Sequence, residues 1–348
     1  MKQIGKISIV LPCYKAEKYV AAMVDDIKVQ SYTDWELIIV SNGADQEAQN
    51  EVLAPYLYVD NRIKLIKTLK GGVSHARNLG VAEASGDWLT FVDADDRLEP
   101  AHLEALVAGV RDDVDMVVGG FTQIKVKDNI RTMCRIKEDM AFGREYLKRD
   151  NLIIGICCNK LFRMCKIREW GGAFDERQTY AEDAVYSLSF LLQTQKMNTV
   201  AMTGYQYLCR DENSANDKYQ ACIVDAYQRM TDLVATLMEK AKCSEKEIVI
   251  YRLGQAYYTS YFGVCNLFKK GCPLSFREKV REIERFVFRE PATMEAIKAY
   301  RFRSTHNIQL KTYDFSLLFH SPWVVALSTK LQYAVKYHLT GLYRLLKK

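Results

Sequence analysis

Gly86-Asp87-Trp88-Leu89-Thr90-Phe91-Val92-Asp93-Ala94-Asp95-Asp96 decides how this chain is read. Trp88–Val92 is an apolar run that does not alternate with polar residues, as expected of a strand buried on both faces. It ends abruptly on three carboxylates. Similar Val- and Ile-rich runs precede it at Ile7–Leu11, Leu37–Val40 and Ile63–Ile66, and one follows at Val114–Val118. Between them, Glu17–Gln30, Asp45–Tyr58 and Val73–Ala84 are long enough for helices. Strands alternating with helices predict βαβ units and a mostly parallel sheet flanked by helices.

Beyond about Leu208 no strand-like run occurs, and apolar residues recur at helical spacing in Cys222–Lys242 and Glu245–Lys269. Ser275–Phe288 and Ala292–Arg301 read as shorter helices. The expected organisation is an α/β domain at 1–215, with halves at about 1–120 and 121–215, then a helical region at 216–348. A net charge of +6 over 348 residues is too small to argue for nucleic acid. The 10 cysteines form no C-x-x-C pair, and the N-terminus lacks a signal-peptide core, so reduced thiols in the cytoplasm are expected.

In open α/β sheets, ligands bind at the carboxyl ends of the strands. Those ends carry Pro12-Cys13-Tyr14, Ser41-Asn42-Gly43, Lys67 to Gly72, and Asp93 to Asp96. Crowded carboxylates repel, and a hard divalent cation, Mg²⁺ or Mn²⁺, would relieve that. A solvated acidic loop with an Asp capping the next helix fits the same residues. No dinucleotide or P-loop glycine fingerprint is present, so a bound diphosphate would need metal and side-chain cations. Arg77 is placed to be such a cation, or else a solvated helix-face arginine. Tyr14 could stack on a base or pack at the sheet edge, and His75 reads as structural or solvent-facing. Farther on, Glu182-Asp183 opens an apolar helical run. Acidic residues there suit the helix dipole, and Asp183 could equally act as a general base.

Several stretches together resemble family 2 glycosyltransferases, inverting enzymes of the GT-A fold. In order they are Ile9–Tyr14, Trp35–Val40, Gly72–Asn78, Gly86–Asp96, Asn159–Arg163, Glu182-Asp183 and Arg210 to Ser214, covering about residues 5–215. The resemblance implies a donor site for a nucleotide sugar, UDP-linked in the usual case. Pro12 and Tyr14 match the nucleobase pocket. Asp93, Ala94 and Asp95 match the DxD motif, with Asp95 as metal ligand and Asp93 beside it. Arg77 lies near the donor, and Arg210 and Ser214 belong to a segment closing over the phosphates. Asp183, with Glu182, matches the catalytic base for a glycan or lipid-linked acceptor in cell-surface polysaccharide synthesis. The chain departs from the pattern at Ser41-Asn42, where an acidic pair is usual, and at Lys70, where Asn is common. Asn42 would then meet the base through its amide, and Lys70 a phosphate. The altered Ser41-Asn42 also leaves open a non-catalytic nucleotide-sugar-binding or scaffold protein on the same fold.

The last acidic residue is Asp314. The segment 315–348 holds five of the 49 basic residues and none of the 43 acidic ones. Leu327, Leu331, Ala334, Val335, Leu342, Leu345 and Leu346 fall roughly at helical spacing. This tail reads as a peripheral contact with an anionic membrane, or as a terminal helix packed on its neighbours with a solvated basic edge.

Overall fold

The computed structural model describes residues 4–147, 153, 155–210, 218–301 and 308–338. The five apolar runs become five strands of a seven-stranded sheet, ordered β10-β6-β9-β4-β1-β2-β3, of which β9 and β10 were not foreseen. The seven strands are β1 Ile7–Cys13, β2 Trp35–Asn42, β3 Ile63–Thr68, β4 Trp88–Phe91, β6 Met116–Gly119, β9 Lys160–Arg163 and β10 Met197–Val200. All pairings are parallel except those of β9, which runs antiparallel to both β4 and β6. Ile9, Val10, Leu11 and Leu37–Val40 are fully buried, which explains runs without alternation. Helices α1 Val20–Lys28, α2 Glu47–Val59 and α3 Val73–Glu83 connect the first four strands, as expected from their spacing.

Strands β1, β2 and β3 are laid down in one direction, after which β4 returns to the other side of β1. The order therefore reverses between β1 and β4. At such a switch point the two strand ends diverge and leave a crevice. It sets Pro12–Tyr14 beside Val92–Asp96.

A second sheet, ordered β5-β11-β7-β8, was not foreseen. It comprises β5 Arg97–Leu98, β7 Phe121–Lys125, β8 Ile130–Cys134 and β11 Tyr205–Cys209. No residue of β8 is buried, and β5 has two residues, so neither leaves an apolar signature. The strand β9 escaped for a related reason: its four residues are Lys, Leu, Phe and Arg, and Lys160 is fully buried.

By compactness the chain divides into 1–212 with 236–242, and 213–235 with 243–348. The second unit is helical: Ile223–Lys240 up to residue 235, Glu245–Leu267, Phe276–Ile283, Pro291–Tyr300, Ile308–Leu317 and Pro322–His338. Ser244 with Glu247, and Ser275 with Glu278, form capping boxes that satisfy the first N–H groups of two of these helices. Its core gathers Tyr257, Tyr261, Val264, Ile283, Val287, Tyr313 and Val325. Among the described residues no helix is long and apolar enough to cross a membrane.

Candidate active site

An aromatic cluster builds the site. Phe91, two residues before Asp93, meets Tyr186 edge-on at 5.8 Å and Phe174 at 5.2 Å. Phe174 stacks on Tyr186 at 4.0 Å, and Phe162 of β9 touches both Phe91 and Tyr186. Tyr186 belongs to the helix Glu182–Thr194. Burying these rings against one another, worth about 1 kcal/mol per pair beyond the area effect, clamps the start of that helix to the end of β4.

The clamp sets Arg77 of α3 between two carboxylates. Its Nη2 lies 3.0 Å from Asp93 Oδ1 and its Nη1 2.8 Å from Glu182 Oε1. The Arg77 side chain is only 4% exposed. Both sequence readings placed this arginine at the surface; instead its guanidinium is a buried tie between the end of β4 and the helix carrying Asp183. Phe174 lies under the guanidinium at 5.3 Å. Asp93 Oδ2 accepts from the Cys158 thiol at 3.5 Å.

The acidic cluster divides into three different environments. Asp93 is held by Arg77. Asp96 is buried, accepting from the Tyr205 hydroxyl at 2.5 Å and from the Leu208 amide at 2.8 Å. Burial, and the charge of Asp93, push the Asp96 carboxyl well above the usual range. Asp95 is 55% exposed and pairs with Arg210 at 3.2 Å. Burial and Asp93 raise its pKa, and Arg210 opposes them. The repulsion that suggested a cation is thus already relieved by two arginines and a buried hydrogen-bonded carboxyl. Among the described residues no group of three or more His, Cys, Asp or Glu side chains is arranged to hold a metal. Mg²⁺ and Mn²⁺ sites of the kind completed by substrate phosphates need only one or two carboxylates, and Asp95 with Asp93 behind it fits that mode.

Asp183 sits in the first turn of its helix, where its Oδ1 accepts from the Ala184 amide at 2.8 Å. The preceding Ala181 is left-handed, φ 55°, which turns the chain sharply into the helix. Burial and the neighbouring Glu182 carboxylate raise the Asp183 carboxyl to about 7, against the pull of Arg77 and that amide.

At the first strand end, Tyr14 is 56% exposed and its ring lies on Gly43. A Cβ on Gly43 would come 2.7 Å from that ring, and its φ of +95° already favours glycine. Pro12 lies beside Val40 at the end of β1, beyond the pairing with β4. Ser41 is fully buried, with its hydroxyl between Gln46 and Gln49. Asn42 is 2% exposed. In the amide orientation that satisfies its neighbours, it donates to the Cys13 carbonyl at 2.9 Å and accepts from the Gly72 amide at 3.2 Å. Asn42 thus ties the end of β1 to Gly72, and Ser41 ties the end of β2 to Gln46 and Gln49. Ala94 is nearly buried within the acidic turn.

Lys70, expected at a phosphate, instead pairs with Glu176 at 2.5 Å. Glu176 also meets His75 Nδ1 at 3.1 Å, and with these partners its carboxyl drops to about 2. Arg210 stacks over the Tyr19 ring at 4.4 Å. Ser214 lies outside the described residues.

Sequence reading missed Glu176, Cys158 and Lys160. The Lys160 ammonium is buried and donates to the carbonyls of Ile153 and Ile156 and to Asn159 Oδ1, tying down the segment that carries Cys158. Burial lowers its pKa to about 8.

The pattern described as "Glycosyl transferase family 2" matches residues 8–171. The glycosyltransferase GlyA of Streptococcus pneumoniae is 26% identical over 263 residues, spanning 71% of this chain and 37% of GlyA. The glycosyltransferase GlyG of the same organism is 33% identical over 117 residues, or 33% of this chain and 38% of GlyG. The chain thus spans well under half the length of these two relatives. Among solved structures, residues 1–349 of Staphylococcus aureus TarS in complex with UDP superpose with a TM-score of 0.62 at 15% identity, covering 95% of this chain and 92% of that one. The order of strand ends and the fold agree with this match, so residues 8–171 resemble the glycosyltransferase family 2 domain.

Proposed function

We propose that the protein is an inverting transferase that moves a sugar from a nucleoside diphosphate to an acceptor hydroxyl in cell-surface polysaccharide synthesis. The observation that carries this reading is the Arg77 bridge, which joins the end of β4 to the helix of Asp183. A strand end that would meet the donor and a carboxylate that would serve as base are thereby tied together, which supports the reading.

Tyr14 and Pro12 form an exposed aromatic and apolar ledge at the end of β1, suited to a nucleobase. The TarS fragment was also solved with UDP-GlcNAc, which supports a uridine donor here. Asp95 faces outward beside Arg210, where a diphosphate would lie. A divalent cation held there by Asp95 and Asp93 would stabilise negative charge on the departing diphosphate. Arg210 can exchange its carboxylate for a phosphate oxygen.

The Asp183 carboxylate accepts the proton of the acceptor hydroxyl. The oxygen attacks the anomeric carbon from the face opposite the diphosphate, and the bond to the diphosphate oxygen breaks with its electron pair leaving on that oxygen. The anomeric configuration inverts. With its pKa near 7, Asp183 is matched to base work at neutral pH, an effect typically worth about 10²–10⁴-fold. The acceptor is a glycan or lipid-linked hydroxyl, in the cytoplasm.

The test compares nucleotide-sugar turnover by the wild type and Asp183→Asn, with Mn²⁺ and with chelator. Loss of turnover in the variant, with donor-induced thermal stabilisation retained, is the expected result. Equal rates would remove Asp183 from the base role. Donor binding without transfer in the wild type, to any acceptor of a native lipid extract, would turn the reading to a non-catalytic binder.

A further inference from the structure

We infer that the two helices Ile308–Leu317 and Pro322–His338 present a surface that docks on an anionic lipid bilayer. Each helix buries one face in the helical unit: Leu310, Tyr313 and Leu317 on the first, Val325, Ala326 and Thr329 on the second. The face turned outward should then be polar. It is instead apolar: Phe315 on the first helix, Trp323, Leu327 and Leu331 on the second, and Leu318 and Phe319 in the turn between them are each between 42% and 67% exposed. Trp323, Leu327 and Leu331 recur every four residues and form one stripe. Phe315 and Phe319 form another, and their rings meet each other at 6.1 Å. Single exposed leucines are ordinary, but an aromatic-rich run of this length marks a contact surface.

Charge selects the occupant. Lys311 precedes Phe315 by one helical turn and is exposed, and Lys330 stands next to Leu331. No acidic residue follows Asp314, and Asp314 is itself fully buried beside the Tyr257 hydroxyl. Lys336, Arg344, Lys347 and Lys348 continue the basic series toward the C-terminus. A second copy docking through the same patch would bring like charges together. A bilayer surface rich in anionic headgroups offers the complementary charge, together with an acyl boundary for the rings. Among the described residues neither helix is long and apolar enough to span, and an aromatic, basic face of this kind suits a contact in the interface plane. It does not depend on the transfer reaction, and the two readings are measured separately.

The experiment is co-sedimentation of the full chain with phosphatidylcholine vesicles, with and without phosphatidylglycerol. Wild type is expected to bind the anionic vesicles strongly and the neutral ones weakly, with a blue shift of Trp323 fluorescence. Trp323→Ser combined with Leu327→Ser should weaken binding by about tenfold or more. Lys311→Gln with Lys330→Gln should reduce the preference for anionic lipid. Melting temperatures and donor-induced thermal shifts equal to those of the wild type establish that the variants are folded. Absence of wild-type binding to anionic vesicles, or equal binding by the Ser variant, overturns the inference. A dimer in solution that Trp323→Ser with Leu327→Ser dissociates, with no vesicle binding, also overturns it and assigns the face to a second copy.

Discussion

Two arginines serve the same acidic turn in opposite ways. Arg77 meets Asp93 from beneath, with its side chain 4% exposed, and spans to Glu182. Arg210 meets Asp95 from the rim, 25% exposed against a carboxylate that is 55% exposed. The chemical groups are the same, but the solvent differs. A desolvated pair cannot be separated without stranding a charge, so it acts as architecture. A wet pair contributes little to stability and can be exchanged for a ligand at little cost. The buried arginine therefore shapes the site, and the rim arginine is free to serve it.

Breaking the buried pair should have the largest effect. Arg77→Met leaves Asp93 and Glu182 facing each other without their cation, and a loss of about 3–5 kcal/mol in unfolding free energy is expected by urea denaturation. Donor-induced stabilisation should fall with it. A variant as stable as wild type would show that the tie is dispensable, and the comparison would fail.

The carboxylate outside both pairs sharpens the contrast through pH. Asp183 titrates near 7 in the folded protein but near 3.9 when unfolded. The folded state therefore keeps a proton that the unfolded state releases. Stability from this group is fully present below about pH 4 and is lost as pH rises toward 7, on the order of a few kcal/mol. Activity should run the other way, rising through an apparent pKa near 7 as the base ionises. Asp183→Asn should flatten the stability slope in that window; an unchanged slope would assign it to other groups.

The smallest effect is expected at the rim. Arg210→Ala should change unfolding free energy by no more than about 1 kcal/mol, because the pair is solvated. Its donor KM should rise by about tenfold, the loss of one charge-assisted hydrogen bond to a diphosphate. A stability loss matching that of Arg77→Met would erase the distinction between the two arginines.

How much of this was legible beforehand varies along the chain. Strands β1, β2, β4 and β6 announced themselves because both faces are buried, which forces unbroken apolar runs, while the edge strand β3 buries only Ile63 and was marked by its isoleucines and leucine. Their ends pointed to Pro12, Tyr14 and Asp93 to Asp96. The second sheet was not legible, since β8 is solvent-exposed and β5 has two residues. At the site, residue identity suggested chemistry without partners. Lys70 meets Glu176, more than a hundred residues away, a partner that no local pattern reveals. Ser41 and Asn42 look available in the sequence but are consumed by the loop they support.

The sequence by itself determined the alternation of strand and helix, the acidic strand end, the family pattern and the one-sided charge of the C-terminus. All of these are local in the chain, set by periodicity and composition. Only the tertiary structure decided that Arg77 is buried, that Asp96 is structural while Asp95 faces outward, and that Glu182 and Asp183 reach the end of β4. Burial and Coulomb energy depend on distances through space, and those were set by aromatic packing among Phe91, Phe162, Phe174 and Tyr186, residues almost a hundred positions apart.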